Sequence, residues 1–339
     1  MKTERGGKNI LLAHGSGGRL TQELIGSVFR RTLSNSILDK MDDSAVVQLD
    51  GNLAFTIDSH VVSPLFFPGG DIGRLSLTGT VNDLAMAGAE PLYICAAFVI
   101  EEGFPLDDLE RIVSSLGLAA GEAGVEVVAG DTKVVERGAA DGMFITTSGI
   151  GLIPASVHIS ASAARPGDAV IVSGTIGDHG IAILSKRQGM DFQTEIKSDC
   201  APLGGLVASM LDASRRVRTL RDPTRGGLAA TLNEIAAASG VAIEVDESSI
   251  PYRSEVRAAC ELLGLDPLVL ANEGKLVAFV ARRDADKVLG AMREHAYGAG
   301  AVIIGEVQES EKPRVYLRTL LGSRRILSMP TGEQLPRIC

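Results

Sequence analysis

The sequence has 339 residues, 45% apolar and 22% charged, with a formal net charge of −9. That length accommodates two ordinary domains. The negative balance argues against general nucleic-acid binding, which needs a basic face, and no apolar run reaches the ~18 residues of a membrane span.

Met1 to Lys8 leads only into the apolar run Ile10-Leu11-Leu12-Ala13, too short for a secretory signal. The cysteines, Cys95, Cys200, Cys260 and Cys339, stand far apart, which suggests neither a zinc site nor a disulfide framework and fits a reducing cytoplasm. A Gly-rich turn, His14-Gly15-Ser16-Gly17-Gly18, precedes a helical pattern with Leu20, Leu24, Ile25 and Val28 on one face. No Lys-Ser/Thr follows at the Walker offset; the turn is either a flexible connection or a place where backbone N–H groups approach phosphate. Alternation in Leu53, Phe55 and Ile57 predicts a strand to about Val62. Asp71 reads as the N-cap of a helix reaching about Gly88, with Leu77, Val81, Leu84 and Ala85 on one face and Asn82 and Asp83 off it. A mid-helix Asn-Asp pair is poor helix chemistry, so it is either solvent-facing polarity or a site.

Leu92 to Ile100 predicts a buried strand, and Leu106 to Ala123 a helix carrying Leu109, Ile112, Val113, Leu116 and Ala120 on one face. Three short strands are expected at 126–129, 132–136 and 143–153, with Gly130-Asp131-Thr132-Lys133 between the first two as a strand-end site or a surface turn. The stretch from Ser160 to Asp168 marks a boundary, beyond which strands and helices alternate again to about Arg318. The layout predicts α/β or α+β layering: a Gly-rich segment 1–40, an N-terminal domain 41–155, a C-terminal domain 165–320 and a mobile tail 321–339.

Acidic residues recur in small-residue turns: Asp42, Asp43, Asp58, Asp83, Asp131 and Asp222. Mg²⁺ takes oxygen ligands and shares them with nucleotide phosphates, so such a set can hold a nucleotide without a Walker lysine. At the other end, Pro336-Arg337-Ile338-Cys339 finishes the sequence on a thiol. It is expected to be exposed, with no core to fill. From Pro330 the tail has about ten residues and an extended reach of roughly 30 Å. The α-carboxylate beside Cys339 raises the thiol pKa, and Arg337 offsets this only in part.

The segments Asp42-Asp43-Ser44-Ala45, Val81-Asn82-Asp83 through Gly88-Ala89-Glu90-Pro91, Gly130-Asp131-Thr132-Lys133 and Asp222-Pro223-Thr224-Arg225-Gly226-Gly227 resemble the ATP-binding motifs of the AIR-synthase-related (PurM-like) superfamily. Within it, the His14–Gly18 turn, Ala271-Asn272-Glu273-Gly274-Lys275 and the Pro-Arg-Ile-Cys end resemble the HypE family of hydrogenase maturation factors. The resemblance implies a two-domain PurM-like fold, with N-terminal sheets pairing into a dimeric barrel-like core and a C-terminal α/β sandwich. It implies ATP and Mg²⁺ near the subunit cleft. His14, Gly15, Gly17, Gly18, Asn82, Asp83, Asp131, Asp222 and Arg225 are then the nucleotide contacts, and Asp43, Asp58, Asp83 and Asp131 the metal ligands. It further implies a carbamoyl dehydratase whose Cys339 is carbamoylated by HypF, dehydrated to a thiocyanate with Lys133 and Glu273 in proton transfer, and unloaded to iron on a HypC–HypD complex. The alternatives are another PurM-like small-molecule enzyme and a cysteine-tailed carrier without catalysis.

Overall fold

The computed structural model describes residues 9–16, 18–41, 44–189, 196–331 and 335–339. Asp42, Asp43 and Gly17 therefore lie outside the described residues. Among those described, no helix is long and apolar enough to cross a membrane.

A short turn over Leu12–Gly15 leads into α1 (Arg19–Leu24), a π-helical stretch (Ile25–Arg30) and α2 (Arg31–Leu33). Strand β1 (Asn52–His60) and the small hairpin β2 (Phe66–Phe67) and β3 (Gly70–Asp71) come next. Helix α3 (Ile72–Met86) starts as expected at Asp71, whose carboxylate accepts from the Gly73 and Arg74 N–H groups. Strand β4 (Glu90–Glu101), helix α4 (Leu106–Ala123), strand β5 (Glu126–Val135) and strand β6 (Met143–Ile153) complete the unit. The two strands expected at 126–136 are one continuous strand: β5 pairs parallel with β4 from Glu126 to Val135, and Gly130 passes without a turn.

The four strands run in the order β1-β6-β4-β5 and form an open sheet rather than a closed barrel in the single chain. Helices α3 and α4 pack together, and α3 covers β1 and β6 on one face of the sheet. On β1 the side chains Leu53, Phe55 and Ile57, at 49%, 69% and 66% exposure, stand on the uncovered side. An apolar row of this kind on a sheet face marks an interaction surface.

The second unit contains β7 (Asp168–Val172), α5 (Asp178–Gln188), α6 (Gly204–Ala213), β8 (Val217–Arg221), α7 (Gly227–Ser239), β9 (Ala242–Asp246), α8 (Ser254–Leu263), β10 (Val277–Ala281), α9 (Arg282–Glu294), β11 (Val302–Gln308), β12 (Arg314–Arg318) and β13 (Arg324–Ile326). The sheet order is β13-β12-β9-β11-β7-β10-β8. Both faces are covered: Val170 and Val172 pack with Leu228 and Leu232 of α7, while Ile171 packs with Leu206 of α6 and Met292 of α9. That is why β7 is apolar without alternation. Strand β13 belongs to the segment expected as tail; it pairs antiparallel with β12.

The stripe expected on α3 does not describe its burial. Thirteen of its fifteen residues are buried, because the helix lies between its own sheet and the second domain. Asn82 is 1% exposed. Its amide nitrogen donates to the Ala201 and Glu273 carbonyls at 3.0 and 3.3 Å, and its oxygen accepts the Leu203 N–H at 2.8 Å. The side chain thus clamps the two domains. Asn82→Ala leaves a buried N–H and two carbonyls without their partner, and is expected to lower the unfolding free energy in urea by about 2–3 kcal/mol. An unchanged midpoint and slope would dismiss the clamp.

Candidate functional site

Carboxylates from both domains gather where the clamp joins them. Asp58 lies on the face of β1 that looks toward α3, and its Oδ2 is 3.4 Å from Nε2 of His60, a buried side chain. Helix α3 approaches closely enough here that a Cβ at Gly79 would sit 2.9 Å from His60 Nε2. Asp83, one position after the clamp, accepts the Thr56 hydroxyl at 3.0 Å. From the second domain come Asp222, after β8, and Glu273, before β10, which is 4% exposed.

Burial pushes the Asp83 carboxyl up, and repulsion from Asp58 adds to it. Burial, then the Asp83 charge, raises Asp222 to about 7. Glu273 is pushed well above the carboxylate range by burial, with Asp222, Asp199 and Asp58 adding to the shift and Arg225 opposing it. Burial lowers the His60 pKa, against the pull of Asp58. One Glu273 oxygen is buried without a hydrogen-bond partner. This cluster of mutually repelling acids, the acid pole, is a place that a cation stabilises. Among the described residues no group of three or more His, Cys, Asp or Glu side chains is arranged to hold a metal by itself.

The loops carrying Asp222 and Glu273 are tied to each other. Asn272 donates through Nδ2 to the Pro223 and Leu270 carbonyls and accepts the Gly177 N–H at 2.7 Å. Gly227 has φ +59°, and a Cβ there would lie 2.5 Å from the Leu270 carbonyl, so the paired glycines let the two loops touch. Glu273 N–H donates to Asp199, whose other oxygen is 3.2 Å from the Lys275 ammonium.

A second group, the basic edge, sits on β5. Lys133 and Asp131 form an exposed ion pair at 2.7 Å that lowers the Asp131 pKa. The Gly-rich turn backs onto this strand: a Cβ at Gly15 would be 2.7 Å from the Val134 nitrogen. His14 Nδ1 accepts the Leu11 N–H at 2.9 Å, and Gly18 caps α1 with its backbone alone. Since β1 and β5 are the outer strands of the sheet, three strand spacings, roughly 14 Å, separate this group from Asp58. The expected site residues therefore fall into two groups on one chain. Asn82 joins neither; its amide is spent on backbone groups of the other domain.

The sequence ends between the two domains. Val61 N–H donates to the Cys339 carbonyl at 3.1 Å and Ser63 N–H to the Arg337 carbonyl at 3.2 Å, so the last residues run alongside the exit of β1. Ile338 is 3% exposed, in the same apolar cluster as Val62, Ile183 and Ala271, and Cys339 packs against that cluster, half-buried. The fully exposed thiol expected from the sequence is thus not what the fold contains. The sequence had no long-range term with which to see that Ile338 anchors the end. A cavity of about 360 Å³ remains beside the tail, lined by Arg225, Gly226, Leu270, Met329, Leu335 and Ile338 among others.

Residues 41–153 match the family described as AIR synthase related protein, N-terminal domain, and residues 165–318 match its C-terminal domain. The carbamoyl dehydratase HypE of Cupriavidus necator is 56% identical over 332 residues, which cover 97% of this chain and 95% of that protein. The chain belongs to the HypE family of AIR synthase related proteins. A crystal structure described as the hydrogenase maturation protein HypE in complex with ATP superposes with a TM-score of 0.94 at 49% identity, covering 97% of this chain and 99% of that one. A HypE chain from a HypE–HypF complex has a TM-score of 0.81 at 50% identity, covering 92% and 100%.

Three residues of this HypE-family candidate site, His60, Asp199 and Lys275, are not among the site residues expected from the sequence, although Lys275 closes the Ala271-Asn272-Glu273-Gly274-Lys275 motif. His60 shares a face of β1 with Asp58, and Lys275 follows Glu273 by two residues, but the residues alone assign neither a role; Asp199 is remote in sequence and comes beside Glu273 only through the loop pairing. The Asp222 shift gives a signed expectation. Its folded pKa of about 7 exceeds the ordinary aspartate value of about 3.9. The folded state holds the extra proton between those values, so this group's stability contribution is lost as pH rises through about 7. In the absence of nucleotide, Asp222→Asn should therefore melt higher than the parent at pH 8, and the gap should close toward pH 4. A gap independent of pH would contradict the burial and repulsion argued here.

Proposed function

We propose that the chain is an ATP-dependent carbamoyl dehydratase whose substrate is an S-carboxamide on its own Cys339. The observation that carries this is the docked tail: Cys339 is held half-buried beside the β1 exit, and the same strand carries Asp58. A carboxamide oxygen is a poor leaving group. In the proposed reaction it attacks the γ-phosphorus of ATP and ADP departs. The nitrogen then gives up two protons while the C–O bond breaks, leaving Cys–S–C≡N, ADP, hydrogen phosphate and one proton.

Glu273 is the proposed base. Burial raises the proton affinity of its carboxylate and the Arg225 charge opposes that rise, a balance that a group needs if it is to be ionised and still take a proton from a weakly acidic N–H. Arg225 and Lys133 supply positive charge to the phosphates, and the backbone of His14, Gly15, Gly17 and Gly18 supplies donors, Gly17 lying outside the described residues. Mg²⁺, when bound, neutralises charge developing on the transferred phosphoryl group. Asp58, Asp83 and Asp131, with Asp43 outside the described residues, are its proposed ligands, and the mutual repulsion at the acid pole supports a cation there. A HypF-type carbamoyltransferase is the proposed donor to Cys339, in keeping with the relative's HypE–HypF complex, and a HypC–HypD-type complex the proposed acceptor of the cyanide.

The basic edge and the acid pole belong to one site only if two copies meet. The uncovered row of Leu53, Phe55 and Ile57 supports a homodimer paired through this sheet, in which the β5 edge of one copy serves the acid pole of the other. Phe55→Glu is expected to shift the sedimentation coefficient from that of a dimer to that of a monomer and to weaken ATP binding with it. A monomeric parent at micromolar concentration would refute the pairing.

Intact-mass spectrometry tests the reaction. With the carbamoyl donor the parent should gain one carbamoyl group, and on addition of ATP lose one water. Cys339→Ala should fold and bind ATP yet gain nothing, and Glu273→Gln should load and keep its water. Loss of water without ATP, or loading of Cys339→Ala, would rule the reading out.

A further inference from the structure

Two side chains of α5 hold the tail, and the dehydration chemistry uses neither. His179, in the first turn, is wholly buried, and burial pushes its pKa down, so the ring is neutral and carries one N–H. A carbonyl can only accept. The proton therefore sits on Nε2 and goes to the Ile338 oxygen 2.8 Å away. Nδ1 is left as the acceptor for the Ser198 hydroxyl at 2.8 Å, and that oxygen in turn accepts the Cys200 N–H at 3.2 Å. Phe67 meets the ring edge-on with centroids 5.6 Å apart, which keeps it from swivelling. The tautomer and the aim of Nε2 are thus fixed from behind.

Arg187, in the last turn of the helix, is exposed. Its guanidinium donates to the Pro336 carbonyl at 2.8 Å and the Arg337 carbonyl at 2.9 Å, and to the Ser63 carbonyl just beyond β1. One cation therefore ties two consecutive tail carbonyls to the strand exit on which the tail lies. All the grips named are on main-chain oxygens. They are the same whether the sulfur carries a proton, a carboxamide or a cyanide. A tail that has to be reached by a separate carbamoyl donor must also leave this position, and leaving strips a buried N–H of its acceptor, the costly case for a hydrogen bond.

We propose that His179 and Arg187 form a latch that sets how the Cys339 tail divides between the docked position and one open to an external carbamoyl donor. They are positioning residues for the dehydration half-reaction, and the inference rests on the dehydratase reading. Its consequence is opposite in sign for the two half-reactions. Weakening the latch favours loading, which needs the tail out, and disfavours dehydration, which needs it in.

The test uses the full-length chain and two readouts. The first is the initial rate of Cys339 alkylation by iodoacetamide, read on the C-terminal peptide. Arg187→Ala should raise it about tenfold, the effect of removing roughly one hydrogen bond's net worth from the docked state. His179→Ala should do the same, while His179→Gln, whose amide N–H can reach the Ile338 oxygen, should return toward the parent rate. Because Arg187 is exposed, its variant folds even if loss of the buried imidazole prevents His179→Ala from doing so. The second readout is a pair of single turnovers: in Arg187→Ala, carbamoylation by the donor should quicken and ATP-dependent loss of water from the loaded tail should slow. An unchanged alkylation rate, a Gln variant as open as the Ala variant, or both half-reactions slowed together would overturn the latch. Should the loaded parent itself lose no water with ATP, the dehydratase reading fails, while the alkylation rates still judge the latch.

Discussion

The site depends on one amide. Asn82 joins α3 of the first domain to the 201–203 and 273 backbone of the second with three hydrogen bonds in a place closed to water. Asp83 follows it in the chain, and Glu273 is the residue whose carbonyl it holds. The clamp therefore fixes the distance between acids of the two domains. A polar group so buried is expensive unless every partner is in place, which is what makes the junction specific rather than merely adhesive.

What the clamp brings together is electrostatically uncomfortable. Burial raises the proton affinity of Asp83, Asp222 and Glu273, and the charges of neighbouring acids, Asp58 among them, raise it further. Strain of this kind is commonly a sign of function, because a bound cation or a transferred proton relieves it. Arg225 lies close enough to oppose the Glu273 shift but leaves the balance negative. The same charge that destabilises the empty site is what a metal–nucleotide complex and a proton-accepting carboxylate require.

The tail is a different design. Ile338 is buried as firmly as a core residue, whereas the tail's polar contacts are hydrogen bonds to its main-chain oxygens from Val61, Ser63, His179 and Arg187, joined by the Arg337 side chain, which donates to the Val61 carbonyl and pairs with Asp141. Docking of this size amounts to a local equilibrium rather than to part of the global fold. It can be broken without unfolding either domain, so one end of the chain can act as a tethered substrate. Reach and grip are separate properties here: the sequence provides the reach, and α5 provides the grip.

Much of this was legible in the residues themselves. Alternation in β1, the Asp71 cap and the stripe on α4 are local patterns, and each formed as local chemistry dictates. The acidic turns and the terminal thiol were visible because carboxylates among small residues and a cysteine at the end have few structural uses. The continuity of β5 through Gly130 was not legible, since pairing with β4 outweighs the glycine's turn preference. Nor was the clamping by Asn82, which the residues alone left as solvent-facing polarity or a site, and which depends on α6 and the 270–275 loop closing over it. The separation of Asp58, at the acid pole, from the basic edge on β5 follows from strand order, which no local signal encodes. The sequence by itself determined which chemical groups are present and which elements carry them. Only the tertiary structure decided which groups face one another, because burial and mutual repulsion depend on contacts between segments as distant as Asp58, Asp222 and Cys339.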